Sequence, residues 1–175
     1  AVGVPHPPGY PRYVLIGHVF TWLPVGDVGY RVNLMSAVFA SVTLALVWAI
    51  VRHLTRSSLA GVVAAWLLGF AYPFWADAIV AEVYTLDAAL VAAMILCLLH
   101  WRRGYDARQL ALAFLFLGLS LANRTTNALN VPIVLLFLLP DLKTTWRAAL
   151  RCAPALLPGP ALYALIPLRD AMGAR

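Results

Sequence analysis

The chain carries little charge. Only 11% of its 175 residues are Asp, Glu, Lys or Arg, against about 25% in an ordinary soluble domain. With 63% hydrophobic residues and a mean hydropathy of +0.84, it cannot cover a folded surface with polar groups, and its natural solvent is lipid. A free-standing soluble domain is excluded. Cysteine is scarce as well: Cys97 and Cys152 both fall within apolar segments. Neither has metal-site spacing or an evident disulfide partner, so both read as small core residues. Four scattered histidines add no metal-ligand pattern, and no metal site is expected. There is no Gly-rich phosphate loop and no nucleophile elbow. The formal charge of +6 comes without a Lys/Arg cluster, so no nucleic-acid partner is expected. The basic residues sit at the ends of apolar runs, where the positive-inside bias places them.

What the sequence holds instead is a series of apolar runs, at residues 34–51, 59–76, 83–101, 110–122, 128–140 and 152–168. The first three approach the twenty or so residues that a spanning helix needs. The fourth and fifth, at about 20 Å each, would be short or tilted spans. The runs predict an all-α, polytopic transmembrane bundle of about six spanning or partly spanning helices. Residues 1–33 form an outer proline-rich loop and an interfacial helix, and residues 34–175 form the bundle as one domain. The bilayer is therefore the first partner. If 34–51 runs inward, the inner loops carry 8 of the 13 basic residues, and five of the seven acids collect on the outer side. Ala1 is no initiator Met, and the last residues follow an apolar run directly, so the chain reads as an internal piece of a longer protein.

Three polar constellations interrupt this pattern. Asp77, Glu82 and Asp87 place three carboxylates within eleven residues around Tyr84. Glu82 and Asp87 would lie about 140° apart on a helix and so are no stacked pair. An acid at membrane depth needs a partner or a wet cavity. Either these acids are a solvated loop with one ion pair, or they line a cavity where one acts as a general base. Next, Asn123-Arg124-Thr125-Thr126-Asn127 offers convergent donors and no acid. It is an interfacial loop with a snorkelling arginine, or an anion site in which the guanidinium grips phosphate oxygens. Last, Val4-Pro5-His6-Pro7-Pro8-Gly9-Tyr10-Pro11 is a stiff loop with few backbone donors. Arg31 and Asn33 open the first full span at the same outer interface.

Taken together, several stretches resemble one known group. They are Gly3-Val4-Pro5-His6-Pro7-Pro8-Gly9-Tyr10-Pro11, Tyr30-Arg31-Val32-Asn33-Leu34-Met35-Ser36, Ala81-Glu82-Val83-Tyr84-Thr85-Leu86, Gly118-Leu119-Ser120-Leu121-Ala122-Asn123-Arg124 and the closing Leu162-Tyr163-Ala164-Leu165-Ile166-Pro167-Leu168-Arg169. The group is the membrane family known as domain of unknown function 2723. Its animal members are protein O-mannosyltransferases, and it is placed with the C-type glycosyltransferases. The resemblance implies a multi-pass enzyme that moves a sugar from a polyprenyl-phosphate donor to an acceptor hydroxyl on a protein or glycan. It would work at the outer face of the membrane. It implies no covalently bound cofactor and leaves a divalent metal open.

The resemblance also suggests roles for particular residues. Glu82 and Asp77 would be the acids, and His6, Arg31 and Arg124 the phosphate partners, with Tyr10, Asn33, Tyr84 and Asn123 beside the substrate. The family's usual acid lies in a loop upstream of Ala1, which ranks Glu82 second as the base. The Ala/Arg/Leu-rich composition suggests a bacterial inner membrane, with the active face periplasmic. A transporter or flippase for an anionic lipid, with Asp87 and Arg124 as a midplane pair, is the competing reading.

Overall fold

The computed structural model describes residues 11–161, all of whose regular elements are helical. His6, Tyr10 and the end of the last apolar run lie outside the described residues. The chain packs as two compact units, one from Tyr13 to Ala92 and the other from Ala93 onward.

The first unit opens with a short helix, α1 (Pro11–Phe20), followed by the long α2 (Val28–Thr55). Asp27 caps α2, its carboxylate accepting from the Tyr30 N–H at 2.7 Å. Arg56 ends the helix in the left-handed region, and its N–H donates to the Arg52 carbonyl. Ser57 then caps α3 (Ser58–Gly69), accepting from the Ala60 N–H at 3.2 Å. The hairpin is tight because Gly61 sits against Trp48: a Cβ there would lie 2.7 Å from the Trp48 carbonyl oxygen.

The run at 59–76, expected as one span, breaks. Ala71 turns to extended backbone, and α4 (Tyr72–Ile79) leaves at 69° to α3. The cause is Pro73, which would clash with the carbonyl four residues earlier and so starts a new helix. A turn at residues 80–83 leads into α5 (Tyr84–Gly104).

The boundary between units falls within α5. Beyond it, Asp106 caps α6 (Ala107–Asn123), and a 3₁₀ turn (Thr125–Asn130) precedes α7 (Val131–Leu138). After a second 3₁₀ turn come α8 (Leu142–Cys152), a third turn (Ala153–Leu156) and the four-residue α9 (Pro158–Ala161). Met94, Leu98, Trp101, Leu110, Ala113, Phe114 and Leu117 form the core of this unit. Gly118 lets α6 approach the Leu156 backbone, a closeness that no side chain would allow. At the end of α5 the Asp141 carboxylate accepts from Arg102 and from the Tyr105 hydroxyl, both at 2.6 Å. Those bonds, Tyr105 first and Arg102 next, hold the Asp141 carboxyl below the usual carboxylate range.

Among the described residues, α2 and α5 are long and apolar enough to cross a membrane, and the bent α3–α4 pair makes a third if taken as one span. Of the expected six spanning or partly spanning helices, the described residues hold these candidates and two shorter apolar helices, Ala107–Asn123 and Thr126–Asp141. The run at 110–122 does extend through its polar flanks into the 17-residue α6. The run at 128–140 lies in the apolar helical stretch Thr126–Asp141, which passes from 3₁₀ to α and back near Pro132 and Pro140. The run at 152–168 extends past the described residues.

Candidate functional site

Glu82 lies in the turn between α4 and α5, with an exposed side chain. Its main chain is held. The Glu82 N–H is shared between the Val80 carbonyl at 2.8 Å and the Ser36 hydroxyl at 3.3 Å. The Ser36 hydroxyl in turn donates to the Glu82 carbonyl at 3.5 Å. Ser36 is wholly buried on α2, and Thr43, two turns further along the same face, is 3% exposed. The Thr43 hydroxyl donates to the Phe39 carbonyl at 2.8 Å and reaches the Thr85 carbonyl at 3.5 Å. A polar stripe on an apolar helix thus seats the stretch that carries Glu82.

Around this seat stand other candidates. On α1, the Tyr13 hydroxyl oxygen is buried without a hydrogen bond among the described residues. The Ser36 hydroxyl is beside it, but outside bonding geometry and already engaged with Glu82. Burial pushes the Tyr13 phenol up. The Ser36 hydroxyl draws it down, and the Glu82 charge adds to the rise. Tyr84, the first residue of α5, is exposed, Asn33 is exposed on α2, and Asp87 is half-buried.

Asp77 is half-buried on α4, two residues after Trp75. Trp75 lines an open aromatic cleft of about 290 Å³ with Phe70 and Tyr72. It also lines a smaller apolar one of about 180 Å³ between α4 and α2. Arg31 is occupied locally: Nε donates to the Val25 carbonyl at 2.7 Å, and the two terminal nitrogens donate to Thr21 at 2.7 Å and Gly26 at 3.0 Å. It clasps the loop before α2.

Asn123 and Arg124 belong to the second unit. Asn123 is wholly buried at the end of α6. Arg124 follows with extended backbone, its N–H donating to the Ser120 carbonyl at 3.0 Å. The same carbonyl accepts from the buried Asn127 amide at 2.9 Å. The polar stretch at 123–127 is therefore a compact turn knotted on one carbonyl. Among the described residues no three His, Cys, Asp or Glu side chains gather as a metal site.

Comparison with known proteins bears on these residues. A family model described as the protein O-mannosyl-transferase TMEM260 N-terminal domain matches residues 1–147. The chain belongs to this family. Protein O-mannosyl-transferase TMEM260 of Mus musculus is 31% identical over 95% of the chain, which covers 25% of that protein. A Dictyostelium discoideum protein of the same name is 26% identical over 53% of the chain and 12% of its own length. The chain thus spans about a quarter of the mouse relative and less of the other. No solved structure matches.

Every candidate residue, from His6 to Arg124, lies inside the stretch that the TMEM260 N-terminal model matches. So do Tyr13, Ser36 and Thr43, which sequence reasoning passed over. One signal was available for two of them: Ser36 and Thr43 are hydroxyls seven residues apart, on one helix face, in a run whose third hydroxyl, Ser41, falls off that spacing.

Proposed function

We propose that the chain is part of a membrane glycosyltransferase that transfers mannose to an acceptor hydroxyl from a polyprenyl-phosphate donor. The observation that carries this reading is the family match over residues 1–147, supported by the mouse relative's name and its 31% identity. The bundle would be of the C-type glycosyltransferase kind and the acceptor a protein or glycan. The composition favours a bacterial inner membrane with the active face outward.

Glu82 is the base in this reading. Its carboxylate is exposed while its peptide is held on α2. It takes the acceptor hydroxyl proton as the acceptor oxygen bonds to the sugar carbon and the sugar–phosphate bond breaks. The electron pair of that bond leaves with the phosphate. Developing charge on the leaving oxygen calls for donors, the part assigned to Arg124, Asn123 and His6. Arg31, Asn33, Tyr10 and Tyr84 would flank the substrate, with Asp77 as the second acid.

The test uses the full-length protein in membranes with radiolabelled polyprenyl-phosphate mannose. Glu82→Gln keeps the shape and removes the base, so transfer should fall by about 100-fold or more. Wild-type transfer by that variant would take Glu82 out of the reaction. No transfer by the wild type itself would sink the transferase reading.

A further inference from the structure

Hydroxyls on α2 have a local solution to burial, which is to bond the carbonyl four residues back. Ser41 does this to Ala37 at 2.9 Å, Thr43 to Phe39 at 2.8 Å and Thr55 to Val51 at 2.8 Å. Ser36 departs from the pattern. Its bonds among the described residues go across to Glu82, accepting from the N–H and donating to the carbonyl of one peptide 46 positions away. It is 0% exposed, with Tyr13 of α1 beside it. A polar group in apolar surroundings is costly unless it is bonded. The direction of this side chain is therefore tied to the position of the turn. Thr43, on the same face, reaches the first turn of α5 just beyond it.

We propose that Ser36 is a positioning residue of the transfer reaction, holding the Glu82 peptide on α2 so that the carboxylate is presented in one place. This rests on the reading of Glu82 as the base. A base works only within hydrogen-bond reach of the proton it takes, and an error of about 1 Å can cost about 100-fold. In the turn at 80–83, Val80, Ala81 and Glu82 are exposed while Val83 is buried, so Ser36 acts on the exposed part of the turn, just before that anchor. Ser36 touches no substrate and acts through Glu82.

The experiment compares the full-length wild type with Ser36→Ala, Ser36→Cys, Glu82→Gln and the Ser36→Ala/Glu82→Gln double variant. It measures kcat, KM for the lipid-linked donor, and thermal stability. Ser36→Cys fills the same space with a weak donor and so guards against a failure to fold. Both Ser36 variants should lower kcat about tenfold, with KM within about twofold of the wild type. In the Glu82→Gln background, Ser36→Ala should cause no further loss, since nothing is left for it to position.

Wild-type kcat in both Ser36 variants, with Glu82→Gln inactive, overturns this inference and leaves Glu82 as the base. An equal loss in both backgrounds also overturns it, because Ser36 would then be acting on the fold alone. Undiminished transfer by Glu82→Gln removes the base assignment and this inference together.

Discussion

At the scale of single residues, Arg31 shows how one side chain supports two readings. An arginine beside an apolar run suggests a phosphate partner, yet three of its donors reach main-chain carbonyls of the preceding loop, out of the five a guanidinium has. Arg31→Lys keeps the charge and loses the fork. It should cost about 1–3 kcal/mol of stability in a thermal melt, and an unchanged midpoint would refute the clasp. The kinds of residue at the candidate site were legible in the sequence. Acids stand near Tyr84, and an arginine stands between asparagines. Their partners were not legible, because many are main-chain carbonyls, which look alike at every position. Ser36 was harder still. A lone serine in an apolar helix ordinarily bonds its own helix, as Ser41 does, and only the folded geometry shows Ser36 reaching for Glu82.

At the scale of elements, the apolar runs announced helices, and the first three runs all fold as helix. Their breaks were written in prolines whose weight the hydropathy pattern hides. Pro73 sits inside a run that looks continuous but folds as α3 and α4. The run at 128–140 stays helical but changes from 3₁₀ to α and back on either side of the eight-residue α7, near Pro132 and Pro140. Packing between elements depends on space that composition does not reveal. Gly61 faces the Trp48 carbonyl at 2.7 Å and its indole at 2.8 Å, measured from where a Cβ would stand. Gly61→Ala should therefore destabilise the protein by about 1–3 kcal/mol in detergent unfolding. Gly17→Ala, with nothing within 4 Å of the added carbon, should be neutral or slightly stabilising, given the helix propensity of alanine. Equal effects at the two positions would contradict the close approach of α2 and α3.

At the scale of the whole molecule, the question is what the bent α3–α4 pair does in the bilayer. At 1.5 Å per residue α3 rises only about 18 Å, too little to cross a hydrocarbon core of about 30 Å. The seat on α2 answers it. Ser36 lies about 28 Å up the α2 axis from Thr55, and it holds the turn that follows α4. The pair that leaves the foot of α2 therefore climbs back to near its head. Cysteines placed at Ser58 and Ala81, with Cys97 and Cys152 replaced by alanine, should react with an impermeant thiol reagent from opposite sides of sealed membranes. Labelling from one side would mean that the pair dips in and returns. Within this unit, the chain that turns back at Thr55 thus returns to the Ser36 end of α2 before α5 begins. Two long hydroxyl bonds to a single peptide thereby mark the place on α2 to which the broken pair comes home.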